Sequence, residues 1–76
     1  MEQVKLGKYK HYKTGNFYHV IGVARHSENL ELLVVYQGLY FSEEFGNHPL
    51  WVRPLKMFKE EVEVNGEKVP RFTFIE

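Results

Sequence analysis

Apolar residues in this chain recur at every second position, in short runs that glycine, asparagine or proline soon interrupts. The 3.6-residue spacing of an amphipathic helix is nowhere strong. A period of two places alternate side chains on opposite faces of an extended strand. Seventy-six residues patterned this way form a small sheet, and they are too few for a doubly wound sheet, an eight-unit βα barrel or a capped solenoid. No Pro/Ser/Gly-rich stretch divides the chain, so residues 1–76 read as one domain. A chain of this length buries only about 60–65% of the surface its unfolded form exposes. Core positions are therefore costly to release for function.

The runs can be placed in order. Residues 7–13 read as a strand with Tyr9, His11 and Lys13 on one face and Lys10 and Tyr12 on the other. Thr14, Gly15 and Asn16 make a turn. Residues 17–25 set Phe17, His19, Ile21, Val23 and Arg25 against Tyr18, Val20, Gly22 and Ala24. Both faces are mostly apolar, so this strand is expected to be central or strongly coiled, with Gly22 at a bend. After a turn at 26–29, residues 30–41 read as a long strand with Leu32, Val34 and Tyr36 on one face and a kink or bulge at Gly38. Residues 42–49 are a polar, acidic loop, and residues 50–53 a short strand stopped by Pro54. Residues 54–58 suit a single helical turn.

The sharpest local signal is Asn65-Gly66 between Val62-Glu63-Val64 and Glu67-Lys68-Val69, a hairpin with a positive-φ turn. A two-residue loop sets Val62 opposite Val69 and Glu60 opposite Arg71. That register puts Phe72 and Phe74 on the other face from Val62 and Val64. An irregularity at 69–71, around Pro70, would restore the phase; a three-residue loop with Gly66 left-handed is the alternative. The pattern as a whole predicts an all-β fold: five or six short antiparallel strands and one short helical turn near 54–58. Closing such a sheet removes its edges, which favours a small SH3-like barrel.

Composition narrows the function. Ten basic and ten acidic residues balance, with a pI near 6.9. Nucleic-acid-binding domains usually lie well above pI 9, so strong nucleic-acid binding is not expected. The charge is uneven: residues 1–25 hold five basic residues against Glu2, and residues 26–50 hold four glutamates and no Lys or Arg. These two thirds either sit side by side and attract, or the basic strand faces an anionic partner. There is no cysteine, and so no disulfide, thiolate nucleophile or cysteine metal site. The longest apolar run, Leu32 to Tyr36, is far short of the roughly 18 residues of a membrane span. Met1-Glu2-Gln3 opens no apolar signal core. A cytoplasmic protein with no membrane partner is the expectation.

Several stretches, read together, carry a resemblance. They are Tyr-Lys-His-Tyr-Lys at 9–13, Gly-Val-Ala-Arg-His-Ser-Glu at 22–28 and Leu-Val-Val-Tyr-Gln at 33–37, with Leu-Trp-Val-Arg-Pro-Leu-Lys-Met-Phe at 50–58 and Val-Pro-Arg-Phe at 69–72. In this order, over nearly the whole chain, the sequence resembles a bacterial family known as domain of unknown function 1653. The resemblance implies a compact SH3-like barrel and a bacterial origin, and no agreed activity. The turn at 14–16 and the loop at 42–48 look longer or different from the family's.

Few residues announce chemistry. His26, Ser27 and Glu28 are the residue types of a hydrolytic triad, but chain neighbours point apart, and a triad is assembled from separate elements. A turn stabilised by local backbone bonds accounts for them. His11, His19, His26 and His48 lack a short ligand spacing, so no metal is expected, although His11 and His19 could meet across paired strands. No glycine-rich phosphate loop precedes a helix, and no cofactor is expected.

The unusual feature is the aromatic supply: one Trp, five Tyr and six Phe. A small barrel holds about four or five large residues, so others must reach the surface. Tyr12 and Tyr36, beside Arg25, His26 and Arg53, could form a stacking or cation–π patch. Arg25 is expected to pair with Glu28 or with a ligand anion. Trp51 and Arg53 share one face of their strand. They point outward as a binding hot spot if Leu50 and Val52 point in; otherwise Trp51 joins a minor core and Arg53 lies along its rim. Candidate ligand-binding residues are therefore Tyr12, Arg25, His26, Glu28, Tyr36, Trp51 and Arg53. The favoured function is a non-catalytic SH3-like binding module for a peptide, a protein or a small ligand. The alternative is a small-molecule-binding protein or minor enzyme using Arg25, His26 and Glu28. A homodimer covering surplus aromatic surface is the third.

Overall fold

The computed structural model describes residues 4–76. In chain order the described elements are β1 (Gly7–His11), β2 (Phe17–Arg25), β3 (Leu32–Gly38), β4 (Phe41–Ser42), β5 (Gly46–Asn47) and β6 (Leu50–Pro54). The helical turn α1 (Leu55–Phe58) and then β7 (Glu61–Val64), β8 (Glu67–Pro70) and β9 (Phe72–Phe74) complete the chain. Five strands make the main antiparallel sheet in the order β6-β3-β2-β1-β9. The fold is all-β with one helical turn, as the alternation requires. β2 is the central strand, and the first and last strands, β1 and β9, lie side by side.

The core lies on one side of this sheet. Val20 of β2 and Val34 of β3 are fully buried, and Tyr9, Tyr36, Leu55, Phe58 and Phe72 close around them. Leu55 and Phe58 are three apart on α1, so both face the sheet. Phe58 stacks on Phe72 at 4.3 Å, and Tyr9 meets Phe58 edge-on at 5.4 Å. Pro54 ends β6 and directly precedes α1 rather than opening it.

The two apolar faces read for β2 have a simpler origin. Val20 pairs with Tyr36, but Gly22 pairs with Val35, so Ile21 is an extra residue. Such a bulge shifts every later side chain to the opposite face. Val23 and Arg25 therefore lie on the same side as Tyr18 and Val20, and not with Phe17 and His19. The other side of β2 is open: Phe17 and Ile21 are exposed.

Gly38 is not a kink. It stays in register opposite Tyr18, and an added Cβ would stand 2.6 Å from the Tyr40 ring. The glycine lets that ring lie against the strand. The strand ends there, and the expected acidic loop contains a two-pair hairpin in which Phe41 faces Asn47 and Ser42 faces Gly46. Phe41, at its base, and Phe45, in its turn, are exposed.

The terminal hairpin follows the two-residue register, with Val62 opposite Val69 and Val64 opposite Glu67. Asn65 and Gly66 have φ of 51° and 83°, both left-handed. The three-residue alternative does not occur. The irregularity falls at Arg71, between β8 and β9, where the chain leaves the hairpin for the main sheet. The Arg71 guanidinium meets the Glu60 carboxylate at 2.6 Å, and the Arg71 amide donates to the Glu60 carbonyl. Phe72 is thereby delivered to the core. Among the described residues, no helix is long and apolar enough to cross a membrane.

Candidate functional site

β6 and β3 decide which way Trp51 and Arg53 face. Tyr36 pairs with Trp51, and Val34 with Arg53. Directly paired residues share a face of the sheet, so Trp51 and Arg53 lie with buried Tyr36 and Val34. Leu50 and Val52 point the other way and are 63% and 61% exposed. The rim alternative is thus the one the structure adopts. Arg53 and Trp51 are half-buried, at the edge of the core rather than inside it.

Between them lies a cleft of about 190 Å³, lined also by His11, Tyr18, Tyr40 and Phe72. Its side chains are tied together in one sense. The Trp51 Nε1–H donates to the Tyr40 hydroxyl at 3.2 Å, and the Arg53 Nε–H donates to the Tyr36 hydroxyl at 3.2 Å. The Arg53 guanidinium also sits 5.7 Å from the centre of the Phe72 ring. Tyr18 joins the ring cluster edge-on, 5.4 Å from Tyr36 and 5.6 Å from Tyr40. This is a wall of rings in which Trp51 and Arg53 are each hydrogen-bonded to a tyrosine hydroxyl.

Two titratable groups of the cleft, Tyr18 and His11, are shifted toward their neutral forms. Burial raises the Tyr18 pKa well above the ordinary tyrosine value, and the Tyr40 hydroxyl beside it raises it further. Burial lowers the pKa of His11 below 6.5, and the positive charges of Arg53, Arg71 and Lys13 lower it more. His11 Nδ1 accepts the Lys13 backbone N–H at 3.2 Å, which leaves the ring proton on Nε2.

Three of the sequence candidates therefore come together: Tyr36, Trp51 and Arg53. Tyr12 is exposed and stands at the margin, its ring 5.0 Å from that of His11. Arg25 ends β2, and His26 and Glu28 belong to the turn that follows it. Arg25 does not pair with Glu28; its Nη1 donates to the Leu30 carbonyl at 2.9 Å, in a turn where Leu30 has φ of 62°. His26 Nδ1 accepts the Glu28 N–H and Asn29 Oδ1 accepts the Glu31 N–H, so these side chains close the turn. His11 and His19 do not meet: His11 shares the core face with Tyr9, and His19, opposite Lys8, lies on the outer face.

Of the other lining residues, the sequence offers His11 only as a histidine without metal-ligand spacing, and it does not single out Tyr18, Tyr40 or Phe72 as site residues. The alternation of Tyr9 with His11 and of Tyr18 with Val20 carries the signal for the first two. For Tyr40 and Phe72 no local signal exists: β3 ends at Gly38, before Tyr40, and the chain changes sheets at Arg71, before Phe72.

A larger hollow, of about 290 Å³, opens between Tyr9, Phe58 and Phe74. Its walls are mainly apolar, and the Tyr9 hydroxyl is committed to the Lys5 carbonyl at 2.8 Å. Lys5 and Lys59 also line it, but it has none of the convergent side-chain hydrogen bonds of the Trp51 cleft. The Trp51 cleft is the candidate site.

Comparison with solved structures finds a crystal structure of a protein of the same family from Bordetella bronchiseptica. It is 35% identical, covers 99% of this chain and 91% of its own, and has a TM-score of 0.84. Comparison with curated proteins finds no match. The family model for a protein of unknown function, DUF1653, matches residues 7–74, and the chain belongs to that family.

Proposed function

We propose that this protein is a non-catalytic binding module of the SH3-like kind, acting in the bacterial cytoplasm, and that the Trp51–Arg53 cleft holds its peptide or small ligand. The strand order supports the SH3-like reading. First and last strands pair, the strands of the main sheet run antiparallel, and one helical turn, followed by the β7–β8 hairpin, separates the last two strands of that sheet in chain order. The observation that carries the binding reading is the pair of hydrogen bonds from Trp51 and Arg53 to Tyr40 and Tyr36. A half-buried arginine in so small a domain is costly, and ordering it beside a tryptophan at an open cleft pre-arranges a recognition surface. No carboxylate, serine, threonine or lysine lines the cleft, and the Tyr18 proton is held tightly. The inventory suits holding a ligand rather than transforming one.

The test is amide chemical-shift mapping with a mixed library of small polar fragments and short peptides. The reading expects shifts centred on His11, Tyr36, Tyr40, Trp51 and Arg53. Shifts centred on Arg25–Glu28, or on the outer face around Leu50 and Val52, would overturn it.

A further inference from the structure

We infer that the group bound in the Trp51 cleft is a carboxylate, an inference that rests on the cleft being the binding site. It follows from counting protons. The indole N–H and the Arg53 Nε–H can only donate, so the Tyr40 and Tyr36 oxygens must accept. Each of these hydroxyls then keeps its own proton: that of Tyr36 is left for another partner, while the Tyr40 hydroxyl also has the Tyr18 hydroxyl within hydrogen-bond reach. A guanidinium has five N–H donors, and the only hydrogen bond Arg53 forms among the described residues uses Nε. His11, with Nδ1 occupied as an acceptor, donates through Nε2. The cleft is thus rich in donors, and a ligand that satisfies them must accept.

Charge selects among acceptors. No acidic side chain lines the cleft, and Arg53 forms no ion pair within the described residues. Arg71, the nearest basic residue along the chain from Phe72, is matched by Glu60. One uncompensated guanidinium fits a single negative charge. A carboxylate is planar, accepts two parallel bonds from a guanidinium, and suits a slot walled by rings. A phosphate dianion would call for a second cation or a cluster of backbone amides, and neither lines the cleft. A cationic ligand is repelled by Arg53.

The sole tryptophan gives one indole N–H resonance, a direct reporter of the cleft. Uniformly ¹⁵N-labelled protein is titrated separately with benzoate, benzamide and inorganic phosphate at pH 7. The expected result is a saturable shift of the Trp51 indole resonance with benzoate. Benzamide, of the same shape but uncharged, binds at least tenfold more weakly, and phosphate gives no saturable shift. Arg53→Gln weakens benzoate at least tenfold, and Tyr40→Phe, which keeps the ring, weakens it several-fold. Equal binding of benzamide and benzoate would overturn the carboxylate assignment while leaving the cleft as a binding site. Saturation by phosphate but not benzoate would overturn it likewise. If no probe shifts the indole, the assignment also falls, and the fragment map then decides whether the cleft binds anything. Should Arg53→Gln fail to fold, the benzoate–benzamide ratio and Tyr40→Phe carry the test.

Discussion

The Nε–H of Arg53 reaches the hydroxyl of Tyr36, 3.2 Å away on the neighbouring strand and two positions out of direct register. Diagonal neighbours on one face of a sheet are just within reach of long side chains. The bond fixes the guanidinium over Phe72 and leaves its outer edge toward the cleft. Tyr36 is thus both a core ring and the acceptor that orients Arg53.

Tyr36→Phe separates these roles. The ring stays and the acceptor goes, leaving the half-buried Arg53 Nε–H to find water. The expected loss is about 1 kcal/mol of folding stability. In a domain of this size that lowers the midpoint of thermal unfolding by about 4–8 °C. Ligand binding weakens too, because Arg53 is no longer held in place. Thermal unfolding followed by circular dichroism measures the first effect, and an unchanged midpoint would show that the bond contributes nothing.

Gly38→Ala acts on the site from behind. The new Cβ would meet the Tyr40 ring at 2.6 Å, so the ring must swing away. The Trp51 Nε1–H then loses its acceptor. The expected signature is an upfield-shifted indole N–H with faster solvent exchange. The stability loss is about 1–3 kcal/mol, as for an overpacked contact. An indole resonance like that of the wild type would show that Tyr40 accommodates the methyl without moving.

His11 makes the fold sensitive to mild acid. Its folded-state pKa lies below the unfolded value near 6.5, because burial and the neighbouring cations disfavour the imidazolium. Below pH 6.5 the unfolded state therefore binds more protons than the folded state. The stability contributed by neutral His11 is complete above that pH, and falls as the pH drops through 6.5 toward the folded pKa. Urea unfolding between pH 7.5 and 5 should show this decline, and His11→Gln should flatten it. A slope of the same size in the variant would assign the effect to other groups.

Much of the fold could be read from alternation and turn chemistry. The Asn65-Gly66 hairpin, the helical turn after Pro54 and the inward set Leu32, Val34 and Tyr36 are local consequences of local residues. The faces of β2 were not legible, because a bulge at Ile21 leaves no mark in the period except a glycine that fits several roles. The orientation of Trp51 and Arg53 was undecidable for a related reason. Leu50 and Val52 look like the core-facing pair, and only pairing with β3 turns them out. The cleft itself joins residues from β1, β2, β3, β6 and β9 and the stretch after Gly38, contacts that no spacing in the sequence encodes.

Trp51→Phe keeps a ring in the cleft but removes the N–H that engages Tyr40. With the indole at the edge of the core, its loss should cost less than the ~3–5 kcal/mol of a fully buried ring cut to Ala. The variant should fold, and urea unfolding should place the loss near 1 kcal/mol, the worth of one hydrogen bond. A loss above about 3 kcal/mol would make Trp51 a core residue rather than part of a recognition surface.

The most direct test of the binding site compares stability and binding in one variant, Arg53→Gln, on a single preparation. A residue placed for recognition is removed at small cost to the fold and large cost to the ligand. The site described here predicts that urea unfolding changes by about 1 kcal/mol, the worth of the bond to Tyr36. Benzoate binding, followed at the Trp51 indole resonance, is then lost by at least tenfold. A variant that loses several kcal/mol while binding the probe as the wild type does would contradict it, and would make Arg53 a structural pin for Tyr36 and Phe72.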